Sequence, residues 1–339
     1  MTENKFDIKE TILAVDINEA TQAVKENRFK DAIKLLEISL IEHPDHIDSL
    51  YLAGVCSRYL KEFDDAIKYI ESLLVHAPDM GRAYQELAHI NRDMGNEEKS
   101  ISNYRQACEL NPALISSWMS LYEYFKKNNN KPALDHATEQ INKLKSLPNM
   151  LLYIDQVMNE GRLGVAELKC REFLKKNPTH TYAMSQLSEI ANRLGHFDDA
   201  ELLLEKAVQF NPDDGELRMK YALVLRKKQK FAKTMEQVNI LCDKYPDNLS
   251  YQAQKASEIM QNGQHEDAID LFDDILSKNP HNFSTFTSKG HALKTLGKTD
   301  DAIESYQSAY KIRPKYRFAI SNKEITTSKF ITRTLVAIY

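Results

Sequence analysis

Residues 181–214, TYAMSQLSEIANRLGHFDDAELLLEKAVQFNPDD, contain a complete structural unit. Gly195 is placed to accept left-handed backbone at the end of a first helix. Asp198 and Asp199 suit the first turn of a second helix, where the dipole favours acids. Ala200 is small where two helices come closest, Leu204 is bulky one turn later, and Pro212 stops the second helix from running on. The pattern repeats every 34 residues: Pro44, Pro78 and Pro112 are evenly spaced, as are Pro178, Pro212, Pro246, Pro280 and Pro314. From Pro112 to Pro178 the spacing is 66 rather than 68, so the two series are two residues out of phase.

Counting back from each proline predicts units at 13–46, 47–80, 81–114, 147–180, 181–214, 215–248, 249–282 and 283–316, with an irregular unit filling 115–146. Independent positions obey the same lattice. Position 20 of the units reads Ala32, Ala66, Ser100, Leu134, Ala166, Ala200, Thr234, Ala268 and Ala302, and a small side chain there lets helices approach closely. Position 15 reads Asn27, Lys61, Gly95, Asn129, Gly161, Gly195, Gln229, Gly263 and Gly297, mostly residues that tolerate a left-handed cap. Position 8 is Gly or Ala in most units, with Tyr122, Ile154 and Ser188 departing, and position 24 carries the opposing bulk, as in Leu36, Ile70, Tyr104, Leu204, Val238, Phe272 and Tyr306.

A helix–turn–helix unit of 34 residues with this pattern resembles the tetratricopeptide repeat. The resemblance covers 13–316, leaving a lead at 1–12 and a tail at 317–339. It implies an all-α fold, a right-handed α-solenoid of about nine repeats. The 115–146 unit keeps Trp118 and Leu121 but carries Asn128-Asn129-Asn130-Lys131-Pro132 in its turn and no closing proline. Pro132 fits the first turn of a helix, where its missing N–H is no loss. Either the unit has drifted, or it marks a kink between the three units before it and the five after. In the tail, Ile331, Leu335 and Ile338 have amphipathic spacing, and both a capping helix and a disordered end fit.

Composition narrows the function. A net charge of −4 disfavours nucleic acid, which needs a basic surface. Cys56, Cys108, Cys170 and Cys242 are far apart in different units, which predicts buried thiols in a reducing compartment rather than disulfides or a metal site. The start, MTENKFDIKETILAV, does not read as a signal peptide, and no apolar run approaches membrane length; the expectation is a cytoplasmic protein without membrane partners.

Chemistry is not written in the sequence. Gly161 and Gly164 lack the Lys-Ser/Thr sequel of a phosphate loop. His43, His46, His180 and His281 flank closing prolines, as loop residues would, and Arg226-Lys227-Lys228-Gln229-Lys230 ends a first helix, where cations complement the dipole. No catalytic residue, cofactor or metal is expected.

Within the repeat family, position 9 lacks the asparagines of chaperone-tail clamps and position 6 lacks the asparagine ladder of sugar transferases. Residues 193–205, 225–231 and 288–295 are similar to the repeat arm of bacterial tetratricopeptide-sulfotransferase proteins, but after 316 no donor-binding motif of that family is found. The family lines its groove with positions 2, 5, 9, 12 and 13 of the first helices. That implies Tyr51, Arg58, Tyr59, Arg82, Gln85, His89, Arg92, Met119, Lys126 and Lys127 in the first half. The second half would supply Leu151, Met158, Tyr182, Glu189, Arg193, Met219, Leu223, Arg226 and Met260. The reading is a scaffold that binds a protein or peptide, with an acidic segment suited to the basic, tyrosine-bearing first half; the alternative is a detached substrate-recruiting arm of a sulfotransferase.

Overall fold

A computed structural model describes residues 17–313, so the lead at 1–12 and the tail at 317–339 lie outside the described residues. Helices succeed one another in pairs: α1 (17–25) with α2 (Phe29–Glu42), α3 (Ile47–Tyr59) with α4 (Phe63–His76), and α5 (Gly81–Asp93) with α6 (Glu97–Leu110). Next come α7 (Ile115–Lys127) with α8 (Lys131–Lys145), and α9 (Asn149–Asn159) with α10 (Leu163–Lys176). The remaining pairs are α11 (Thr181–Arg193) and α12 (Phe197–Phe210), α13 (Gly215–Lys227) and α14 (Phe231–Lys244), α15 (Leu249–Gln261) and α16 (His265–Lys278), and α17 (Phe283–Thr295) and α18 (Thr299–Ile312). No strand occurs among the described residues. The chain divides into two compact units, one ending at Pro178 and the other beginning at Thr179.

The turn inside each pair is the most regular feature of the backbone. All nine residues at position 15 have positive φ, including Lys61 (64°) and Gln229 (57°). The next residue in the chain donates its N–H five residues back, from Arg28 to the Ala23 carbonyl through Lys298 to the Leu293 carbonyl, at 2.8 to 3.2 Å. This hydrogen bond closes the Schellman end of a helix, and it holds the left-handed residue in place whatever its side chain. Lys and Gln sit there at a conformational cost that glycine would not carry. Lys61→Gly and Gln229→Gly are each expected to stabilise the protein by about 1 kcal/mol, raising the denaturation midpoint in urea; an unchanged or lower midpoint for both would contradict the strain.

Small and large side chains meet as the lattice requires. A Cβ added to Gly54 would lie 2.5 Å from Ile70, and one added to Gly290 would lie 2.5 Å from the Tyr306 ring. Two units keep the rule by reversing it: Tyr122 faces position 24 with a small Thr138, and buried Ile154 is matched by buried Cys170. Leu134 is only half-buried, and the buried small residue of α8 is Ala137, which packs with Leu121 and Phe125. Pro132 occupies the first turn of α8, and the Asn130 side chain accepts a hydrogen bond from the Ala133 N–H. Two of the histidines beside the closing prolines cap helices. His46 and His180 accept from the Ser49 and Ala183 N–H groups at the starts of α3 and α11.

Candidate functional site

The expected first-half groove residues lie together in the first compact unit, but most of its cations are already paired. Arg58 contacts Glu86 (2.5 Å) and Asp93 (3.3 Å), and its guanidinium lies 4.4 Å from the centre of the Tyr59 ring. Glu86 is buried, and burial raises its carboxyl above the usual range although Arg58 opposes the rise. Tyr59 stacks on Phe29 with ring centres 4.5 Å apart and remains 54% exposed. Gln85 donates to Ser116 and Ser117 at 2.5 and 2.9 Å, tying α5 to α7.

Three residues form a polar relay beside a cleft. Arg92 donates to the Tyr104 hydroxyl at 3.3 Å, and that hydroxyl shares a hydrogen bond of 2.7 Å with Nδ1 of His89. The His89 and Tyr104 rings meet edge to face. Burial, then the nearby Arg58 and Arg92, pushes the His89 imidazole down to about 4, so it is neutral at pH 7. The arrangement recurs at His291 and Tyr306 (3.1 Å), where the lattice again places His at position 9 and Tyr at position 24. The cleft, about 610 Å³, lies between the α5–α6 turn and α7, and is lined among others by Arg92, Glu97, Ile101, Tyr104, Tyr124 and Lys127. Lys127 reaches Glu97 at 2.9 Å, Lys126 lies 5.9 Å from the Tyr122 ring centre, and Met119 is 47% exposed nearby.

Two expected groove residues are core instead: Leu151 and Met158 are buried on α9. In the second compact unit Tyr182, Met219, Leu223 and Met260 are half-buried, and Met260 packs against the core of α16, α17 and α18. Arg193 pairs with Glu189 at 2.8 Å and Arg226 with the buried Glu258 at 3.3 Å. The basic run at 226–230 is a joint between repeats. Lys228 contacts Asp198 and Glu201, and Lys230 contacts Glu201 at 2.6 Å. Burial would raise Glu201, but hydrogen bonds from Lys228 and Lys230 more than offset it and leave the carboxyl lowered.

Arg82 holds the least expected contact. Its guanidinium lies 4.8 Å from the centre of the Tyr51 ring, and its Nε touches the Glu160 carboxylate at 2.5 Å. Burial, with Glu86 adding, pushes the Tyr51 phenol up to about 12.

Sequence profiles described as tetratricopeptide repeat match residues 17–80, 81–114 and 283–316. The chain carries tetratricopeptide repeats. With the paired helices they make it an all-α tetratricopeptide-repeat solenoid of about nine units. Among solved structures it is similar to YrrB, described as a tetratricopeptide-repeat protein with an unusual peptide-binding site (16% identity over 55% of this chain and 97% of that one, TM-score 0.42). It is also similar to MamA (16% identity over 51% and 96%, TM-score 0.42) and to a tetratricopeptide repeat protein from Parabacteroides merdae (12% identity over 94% and 100%, TM-score 0.40). No curated protein matches the chain.

Among the described residues no group of His, Cys, Asp or Glu could hold a metal ion, and no helix is long and apolar enough to cross a membrane. Cys56, Cys108 and Cys170 are buried and Cys242 is half-buried, and none of the four is in a disulfide. The repeat lattice gives no signal for Glu160: at its position 14 the other units carry Glu26, Leu60, Met94, Asn128, Leu194, Lys228, Asn262 and Leu296.

Proposed function

We propose that this tetratricopeptide-repeat chain is an interaction scaffold whose first compact unit holds an acidic peptide segment in the cleft between the α5–α6 turn and α7. The observation that carries the reading is the cleft itself. It sets Tyr124, Ile101 and the edge of the buried Tyr104 beside Arg92 and Lys127, with Glu97 and Glu123 also on its wall, and aromatic and Arg enrichment is the composition of binding surfaces. By sequence the positive charge is spread over five groove residues. Arg58 and Arg82 are largely withdrawn from water by their carboxylate partners, so the accessible charge concentrates at Arg92, Lys126 and Lys127. Tyrosine supplies contact area at little entropic cost, and the cations choose an acidic partner over others. The likeness to sulfotransferase arms rests on three strings, and no feature of the fold favours it as a second reading.

A fluorescein-labelled hexaglutamate peptide is the simplest probe. Arg92→Glu with Lys127→Glu is expected to weaken its binding at least about 30-fold, each reversal removing on the order of 1 kcal/mol. The thermal melt should fall only slightly, because the Lys127–Glu97 and Arg92–Asp93 pairs are solvent-exposed and worth little and the Arg92–Tyr104 hydrogen bond is long at 3.3 Å. Lys61→Glu with Lys68→Glu changes the net charge equally and should leave binding near the wild-type value. Equal weakening by both pairs would reduce the effect to overall charge and overturn this site.

A further inference from the structure

In a repeat array each unit ordinarily touches only its neighbours. The first compact unit breaks that rule, because the fifth repeat reaches back to the second and third. Asn111 donates to the Gln156 carbonyl at 3.1 Å, and the Gln156 amide donates to the Ala113 carbonyl at 3.0 Å. Beyond α9, Arg162 pairs with Asp48 at 3.6 Å, and Glu160 sits on Arg82 beside Tyr51. Meanwhile α8 and α9 scarcely touch, so these polar contacts tie the fifth repeat to the second and third where stacking on the fourth is weak.

The contact at its tip is poorly made. The Glu160 side chain is 1% exposed, yet beyond Nε of Arg82 at 2.5 Å its carboxylate finds no donor, and Nη2 of Arg82 is buried without an acceptor. The pair is one short contact where a guanidinium and a carboxylate could make two. A buried pair in that state gains little over its desolvation cost. The Tyr51–Arg82 surface holds a carboxylate through a single point of contact.

We propose that Tyr51 and Arg82 form a carboxylate-binding subsite which the chain fills with its own Glu160, and that an acidic side chain of a bound segment takes that place when the 160–162 turn moves away. This rests on the reading of an acidic partner, deepens it, and adds a second contact point to the cleft at Arg92. Tight closure lowers the apparent affinity by the fraction of molecules that are open, so removing the internal carboxylate exposes the intrinsic affinity.

The test uses the whole chain and the labelled hexaglutamate peptide. Glu160→Ala should tighten binding about tenfold or more and raise hydrogen exchange in 149–162 while α3 to α6 stay protected. Adding Arg82→Ala should erase the gain. In a Cys242→Ser background, Asp48→Cys and Arg162→Cys joined by a short bismaleimide should hold the turn shut and also erase it. Should Glu160→Ala fail to fold, Glu160→Gln preserves the shape, removes the charge and should still tighten binding. An affinity unchanged in both Glu160 variants, or a gain that survives Arg82→Ala, would overturn the subsite and leave the contact purely structural. The Glu160 gain is measured again with Arg92→Glu and Lys127→Glu present. If those reversals do not weaken binding but the gain remains, the cleft reading fails and the subsite stands.

Discussion

Tyr104→Ala is expected to destabilise the first compact unit by about 3–5 kcal/mol, the range for deleting a large aromatic side chain from a core. Tyr104 is 1% exposed and packs with Ala88, Cys108, Leu121, Phe125 and Ala137, so it joins the third repeat to the fourth. Its removal leaves a cavity and deprives Nδ1 of His89 of its partner. Tyr104→Phe keeps the ring and loses only the hydroxyl, which should cost about 1 kcal/mol. Denaturant unfolding gives both values. Hydrogen exchange shows where the damage goes: protection should fall in 81–146 and hold in 215–313, since repeats transmit strain chiefly to their neighbours. Uniform loss along the chain would contradict that modularity.

Acid is expected to remove about 3 kcal/mol through His89 alone, as its pKa falls from an ordinary 6.5 unfolded to about 4 folded. Between those values the unfolded chain binds a proton that the folded chain refuses, so stability falls as pH drops from about 6.5 to about 4 and then levels. Arg58, Arg92 and Asp93 face the imidazole, and the two arginines outweigh the aspartate. His46 and His291 are lowered by burial and act with the same sign. Glu86 and Glu160, raised by burial, act against it, so the His89 part must be isolated. His89→Gln can still accept from Tyr104 but does not titrate. Unfolding measured at several pH values should therefore show a shallower acid loss for His89→Gln than for wild type. Parallel curves would mean that folding leaves the proton affinity of His89 unchanged.

Much of this fold is legible in a single stretch of 34 residues, because the contacts that make a repeat are local. Gly195, Ala200, Leu204 and Pro212 lie within one helix pair, and each states its own requirement through backbone freedom, volume or a missing donor. Where the lattice and the residue disagreed, the lattice prevailed. Lys61 and Gln229 adopt left-handed backbone because the hydrogen bonds of the helix end impose it, and Tyr122 with Thr138 and Ile154 with Cys170 show that only the summed volume is fixed. Position in the lattice also pointed to His89, Arg92 and Lys127, though not to the relay that joins the first two through Tyr104 or to the cleft beside it.

The pairing of charges belonged to the tertiary structure. Arg58 with Glu86, Lys228 with Glu201 and Arg82 with Glu160 join different repeats, and nothing in the repeat pattern matches one member to the other. The last pair depends on the path of the chain through the irregular fourth repeat, where two missing residues and the weak contact of α8 with α9 redirect the fifth. Such a path is the sum of small rotations between repeats, each set by side-chain packing at an interface. Local propensity fixes the units, whereas that accumulated geometry decided that Glu160 would meet Arg82 and that the cations expected to greet a partner would partly greet the chain itself.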